Sequence, residues 1–171
     1  MFIAYCPAKR DPVSAGLIAY CMDLSIASDH GGYKLKKRLV RFIENELKLD
    51  VTDMGPHEYE ETDDYPDYVV PLAEKVSKEG GRGIVICRNG IGVCVATNKV
   101  HGVRCGIGYN IEVAESMMKD DNTNILALAA DHLSEDHAMA VVKKWLETEF
   151  SEAERHVRRL TKVAALDNKK D

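Results

Sequence analysis

The residues Cys87-Arg88-Asn89-Gly90-Ile91-Gly92 follow directly on an apolar run, Ile84-Val85-Ile86, and their types and order could do chemistry. The run is short and β-branched, like strands buried on both faces of a parallel sheet. Gly90 and Gly92 let the chain turn tightly and approach a ligand closely, and residues 93–97 read as the first turns of a helix. A thiol at the carboxyl end of such a strand lies where open α/β sheets bind small molecules. Beside helix N-terminal amides its thiolate is favoured, which suits a nucleophile or a general base. Cysteine is also a small core hydrophobe, and the residues alone leave both roles open.

Other candidates are spread along the chain. Asp29-His30 closes a second short apolar strand ahead of Gly31-Gly32. Asp29 there is either a ligand group or a cap on the helix that follows. Arg155 and Arg159 are four residues apart in a helical stretch, so both can point one way, toward an anion or into surface salt bridges. Tyr65 ends an acidic loop and either shapes a pocket or covers the edge of the core. The run 58–64 reads as a solvated acidic rim. Cys94 and Cys105 read as packing residues, Asn98 and Lys99 as the end of a helix, and His57, His101, His132 and His137 as surface or structural groups.

The elements that must position these groups alternate from residue 23 onward. Strands are expected at 24–27, 51–54, 84–87, 103–107 and 125–128. Helices are expected at 33–47, 67–79, 91–98, 110–119, 137–148 and 151–166. In the first helix Leu35, Leu39, Phe42, Ile43 and Leu47 recur at helical spacing, with basic residues on the other face. Pro66 makes a continuous helix through 58–68 improbable. Five strands alternating with helices predict a parallel sheet covered on both faces. The strand-to-helix loops would then gather Asp29, His30, Cys87, Asn89 and Gly90 at one crevice.

Composition narrows the function classes. A chain of 171 residues suits a single domain with one sizeable core. The net charge is -5 and no dense Lys/Arg stretch opposes it, which argues against nucleic acid as a partner. A small anionic substrate needs only two or three well-placed cations. The five cysteines show no CxxC spacing, so zinc and structural disulfides are not expected and a reducing cytoplasm fits. No apolar run is long enough to span a bilayer. Residues 1–21 carry Lys9, Arg10 and Asp11 between Pro7 and Pro12, wrong for a signal peptide. They are expected to be a poorly ordered N-terminal extension, with a single domain over 22–171.

Six stretches carry a family resemblance: Ile26 to Gly32, Asp64-Tyr65-Pro66-Asp67-Tyr68, Gly83 to Lys99, Gly102-Val103-Arg104, Asn122 to Ala127, and Arg155-His156-Val157-Arg158-Arg159. In this order they resemble the type B ribose-5-phosphate isomerases, grouped with galactose-6-phosphate and allose-6-phosphate isomerases. The resemblance covers residues 23–166 and leaves 1–21 without a counterpart. It implies a three-layer α/β/α sandwich on a five-stranded parallel sheet, Rossmann-like or flavodoxin-like. It also implies a homodimer or homotetramer with sites in clefts between subunits. The implied reaction is aldose–ketose isomerisation of a sugar phosphate through a cis-enediol, with no metal and no cofactor.

Residue by residue, the resemblance implies that Cys87 is the base and that Asn89 and the turn amides through Gly92 hold the enediolate oxygens. Asp29, His30 and Tyr65 match substrate contacts; Arg155 and Arg159 match phosphate ligands reaching a shared site. Gly90, Gly92, Arg88 and Asp121 complete the expected substrate-binding set, and Asp120 the catalytic one. Three positions depart from the family pattern. Arg88-Asn89 stand where glycine then threonine or serine is usual, so Arg88 either fills the pocket or adds a phosphate contact. Asp120 replaces the histidine that assists ring opening, and a carboxylate does that work only if its pKa is raised. Asp131 replaces an arginine, and an acid there repels phosphate. The expected substrate is D-ribose 5-phosphate, giving D-ribulose 5-phosphate. The alternatives are a six-carbon sugar phosphate and a sugar-phosphate-binding module without turnover.

Overall fold

The structure is a computed structural model that describes residues 23–167; the extension expected over 1–21 lies outside the described residues. Its elements run β1 (Leu24–Ser28), α1 (Tyr33–Asn45), β2 (Thr52–Asp53), α2 (Pro66–Glu79), β3 (Arg82–Cys87), α3 (Ile91–Thr97), β4 (Cys105–Ile107), α4 (Ile111–Asp121), β5 (Ile125–Ala129), α5 (Glu135–Glu147) and α6 (Glu154–Ala164). The strands form one parallel sheet in the order β2-β1-β3-β5-β4. The expected α/β architecture is thus observed, with the last two strands exchanged relative to simple sequential order. Strand composition explains the exchange. Every residue of β5 is buried, as an inner strand requires, whereas the short Cys-Gly-Ile of β4 is half-buried throughout and takes the edge.

Side chains alternate along each inner strand and so serve two cores. Leu24, Ile26, Ile84, Ile86, Leu126 and Leu128 pack with α1, α4 and α5 on one face. Ala27, Val85, Cys87, Ile125 and Ala127 pack with α2 and α3 on the other. The first core is the larger and holds Trp145, fully buried, whose Nε1–H donates to Thr123 Oγ1 at 2.9 Å.

Two local features bear on the site. Pro66 is the first residue of α2, where its missing N–H costs nothing, and so the acidic stretch before it stays a loop. Lys36 corrects the reading that the basic residues of α1 face outward. Its side chain is fully buried, and Nζ donates to Asp53 Oδ1 at 2.5 Å and to the Pro56 carbonyl at 2.7 Å. Burial lowers its pKa, and Asp53 counters part of that. The pair ties the turn after β2 to α1, and the Gly55 carbonyl in turn accepts the Ser28 N–H at 3.0 Å.

Candidate active site

β1 and β3 are neighbours, yet the chain leaves them in opposite directions. β1 leads through α1 to β2 on one side, and β3 through α3 to β4 on the other. Where the connections diverge in this way, the loops part and a crevice opens above the strand ends. Asp29 and His30 follow β1, and Cys87, Arg88 and Asn89 follow β3. The Asp29 N–H donates to the Ile86 carbonyl at 3.3 Å, which fastens one strand end to the other.

Cys87 belongs to the apolar cluster beneath α2 and α3 and is only 5% exposed. Its sulfur is nonetheless in polar company. The Gly90 N–H donates to Sγ at 3.2 Å, and Asn89 Oδ1 lies 3.7 Å away. This curl needs Gly90 at φ 73°, a left-handed conformation that a side chain resists. Asn89 Oδ1 also accepts the Ile91 N–H at 3.0 Å. The oxygen is thus turned inward, and the Nδ2 end is the one offered to a ligand. The sulfur is therefore held, lightly exposed, at the floor of a crevice with the Gly90 N–H donating to it and Asn89 Oδ1 beside it.

Tyr65 reaches the same turn from the loop before α2. A methyl group added at Gly92 would lie 2.9 Å from the Tyr65 ring, so the missing side chain is what lets the tyrosine close over α3. Arg88 crosses above Gly31, where an added methyl would meet its Cγ at 2.5 Å. Its Nη1 stands 3.6 Å from Asp131 Oδ2, and the Asp131 N–H donates to the Arg88 carbonyl at 2.9 Å. The unexpected arginine and the unexpected acid thus lie against one another. Asp29 Oδ1 accepts the Gly32 N–H at 3.0 Å and closes the turn ahead of α1, while the helix itself starts without a side-chain cap.

His30 shows a partner that the sequence reading missed. Asp63 Oδ1 accepts the His30 backbone N–H at 2.9 Å and pairs with its Nδ1 at 2.7 Å. The Asp63 side chain is 4% exposed, so this one acid of the 58–64 run is buried rather than solvated. The hydrogen bond to Asp63 raises the His30 pKa, helped by the charge of Asp29 and opposed by burial and by Arg88. Only the proximity of Asp63 to Tyr65 in sequence could have hinted at this role.

Asp120, Asp121, Arg155 and Arg159 stand elsewhere. α4 ends at Asp121 and β5 begins at Ile125, so these acids lie at the amino edge of the sheet. The Gly83 N–H, at the start of β3, donates to the Asn124 carbonyl at 2.9 Å. β3 is six residues long, so its two ends are roughly 16 Å apart at about 3.3 Å per residue. α6 is docked to the same edge. Ser151 N–H donates to the Lys119 carbonyl at 3.0 Å, and His156 Nδ1 meets Ser151 Oγ at 2.9 Å and Asp120 Oδ1 at 3.5 Å. Arg155 and Arg159 are exposed on this helix. One chain therefore assembles Asp29, His30, Tyr65, Cys87, Arg88, Asn89, Gly90 and Gly92 in one crevice and leaves the other four at the far end of the sheet.

Known proteins share this fold. The sequence profile of the Ribose/Galactose Isomerase family matches residues 24–163. A crystal structure of ribose-5-phosphate isomerase B from Mycoplasma genitalium, with bound ribulose-5-phosphate, superposes with a TM-score of 0.83 at 33% identity, covering 87% of this chain and 98% of that one. The ribose-5-phosphate isomerase B of Clostridium thermocellum superposes at 0.81 with 37% identity, over 85% of this chain and 97% of the other. Ribose-5-phosphate isomerase B of Mycobacterium tuberculosis is 30% identical over 144 residues, 84% of this chain and 88% of its own length. A profile matched across nearly the whole described fold leaves one conclusion: the chain belongs to the Ribose/Galactose Isomerase family.

Proposed function

We propose that the protein interconverts D-ribose 5-phosphate and D-ribulose 5-phosphate, with Cys87 carrying the proton. The observation that carries this reading is the Cys87 sulfur, held at the crevice floor with the Gly90 N–H donating to it at 3.2 Å. That N–H fixes the sulfur at the turn where a proton would be taken from the substrate. The ribulose-5-phosphate in the Mycoplasma genitalium structure supports the choice of sugar.

The chemistry follows from these groups. The Cys87 thiolate removes the proton from C2 of the open-chain aldose, and the electron pair shifts onto the carbonyl oxygen. Asn89 Nδ2 offers a donor to that oxyanion, as oxyanion holes do, while the Gly90 and Ile91 N–H groups hold Cys87 Sγ and Asn89 Oδ1 in place. The thiol then returns the proton to C1 as the C2 hydroxyl gives up its own to the first oxygen, which balances the exchange. Asp29, His30 and Tyr65 orient the sugar, and Arg88 supplies a cation at the rim. Binding of the unreactive phosphate contributes to this orientation.

The phosphate ligands Arg155 and Arg159, with Asp120 and Asp121, come in this reading from a second copy of the chain. The site is thus shared in a homodimer or homotetramer. Ile91 and Val95, four apart and each 55% exposed, flank the Cys87 turn as an apolar strip suited to that contact. A reducing cytoplasm fits the free thiols at Cys87, Cys94 and Cys105. Among the described residues no helix is long and apolar enough to cross a membrane.

The test is ketose formation from ribose 5-phosphate, with allose 6-phosphate and galactose 6-phosphate alongside, in chelated buffer, for the wild type and Cys87→Ala. Loss of a positioned base should lower turnover by about 10²–10⁴-fold while circular dichroism stays unchanged. Turnover of only a six-carbon sugar would keep the chemistry and change the substrate. Full activity in Cys87→Ala would refute the base, and binding of every sugar phosphate without conversion would refute the isomerase.

A further inference from the structure

We infer that Asp63 is a positioning residue for His30, fixing the imidazole so that its Nε2 faces the crevice as an anion-binding donor. The inference rests on the isomerase reading of the crevice and adds a residue to it. One carboxylate oxygen, Oδ1, takes both the backbone N–H and the ring Nδ1 of His30, at 2.9 and 2.7 Å. Holding main chain and ring of the same residue from one point removes both the slide of the loop and the rotation of the ring. With Nδ1 engaged, Nε2 is the nitrogen left for a ligand, and the carboxylate dictates which nitrogen carries the proton.

Charge acts in the same direction. The groups that act on His30 are Asp29, Asp63 and Arg88, and the two acids outweigh the arginine and the partial burial. The ring therefore keeps its proton to higher pH than an ordinary histidine, and both nitrogens then donate. An imidazolium donor suits a phosphate or another small oxyanion and would serve poorly as a base.

Asp63 is placed for this at a cost. Its side chain is 4% exposed, and its second oxygen, Oδ2, is buried without a hydrogen-bond partner among the described residues. A buried carboxylate held only for packing would be better replaced by an apolar group. The acid also lies two residues before Tyr65, whose ring closes over Gly92 in the Cys87 turn. One short loop thereby sets His30 on one wall of the crevice and Tyr65 on the other.

The experiment is the NMR titration of the His30 ring in the full chain, wild type against Asp63→Asn, with and without inorganic phosphate. KM and kcat for ribose 5-phosphate are measured on both proteins from pH 6 to 9. In the wild type His30 should titrate above the ordinary value of about 6.5, and in Asp63→Asn it should fall back toward it. KM should rise about tenfold with kcat changed much less, because one charged hydrogen bond to the anion is lost while the sulfur stays in place. That KM penalty should be largest where the variant's ring is neutral and the wild type's is still protonated, and should shrink again once the wild-type ring loses its proton. Asp63→Glu should restore part of the His30 shift. An unchanged His30 titration in a folded Asp63→Asn protein overturns the inference. So does an equal fall in kcat and kcat/KM at every pH, the mark of a merely structural acid. The titration needs no turnover, so the role of Asp63 can be judged even if no sugar phosphate is converted.

Discussion

At the carboxyl ends of β1 and β3 the candidate functional side chains are tied to one another, whereas at the amino ends of β4 and β5 Asp121, Arg155 and Arg159 stand in solvent and Asp120 pairs with His156. Cys87 accepts from Gly90, His30 is held by Asp63, Tyr65 closes over Gly92, and Arg88 lies beside Asp131. Arg155 and Arg159 have no such setting; they are exposed on α6, which carries one buried residue, His156. In the proposed isomerase the difference follows from what each end would have to do. Proton transfer at carbon needs a base and donors fixed to fractions of an ångström, which packed strand ends supply. Gripping a phosphate needs cations within reach, and on the proposed shared site an exposed helix would supply those once a second copy brought it to the crevice.

Subunit mixing breaks or sharpens this division with the largest effect. Cys87→Ala lacks the base but keeps both arginines, and the double variant Arg155→Ala/Arg159→Ala keeps the base but lacks the cations. Each alone should be nearly inactive. In a two-fold dimer with shared sites, a mixed pair gathers both lesions in one site and leaves the other intact. Co-refolded in equal amounts, the two proteins should recover about a quarter of wild-type activity, since about half the dimers are mixed and each has one good site. If the mixture stays as inactive as its components, the crevice does not draw these arginines from a second chain.

A smaller effect probes the exposed end alone. Ser151→Ala removes the 2.9 Å hydrogen bond to His156 that helps dock α6 against α4. The loss of one such bond costs about 1 kcal/mol, so α6 amides should exchange roughly fivefold faster while those of β1, β3 and β5 hold their protection. KM should rise a few-fold with kcat unchanged. A fall in kcat instead would mean that the two ends are coupled more tightly than the geometry shows.

How much of this could be read from the sequence follows the same division. The alternating strands, the core residues and the Cys87 turn were legible because burial and tight turns leave periodic apolar runs and glycines. The β4–β5 exchange was not, since strand order depends on which strand can be buried on both faces, a property of the assembled sheet. Lys36 and Asp63 were hidden for another reason. A buried lysine amid exposed basic residues, and a buried acid inside an acidic run, carry no local signature; each is recognised only through its partner, Asp53 or His30, 17 and 33 residues away. The resemblance named Arg155, Arg159, Asp120 and Asp121 as site residues, and the fold of one chain puts them at the other edge; on the proposed shared site, what would join them to Cys87 lies between copies.

The smallest effect reads the tied end through pH. His30 has a folded pKa raised chiefly by Asp63, above an unfolded value of about 6.5. A group shifted in this sense contributes stability that is fully present below the unfolded value and is lost as pH rises through the folded one. The ring is 22% exposed, and solvent screens the pair, so the contribution is modest. Tm of the wild type should exceed that of Asp63→Asn by about 1–2 °C near pH 6, and the gap should close as His30 loses its proton. Two opposing costs meet on the alkaline side, because an ionised Asp63 facing a neutral ring is a buried charge without its counterion, which Asn is not. The gap should therefore narrow to nothing or reverse there. A gap that widens with pH would mean that Asp63 is stabilised by something other than the imidazolium, and the tie between the acidic loop and His30 would lose its electrostatic basis.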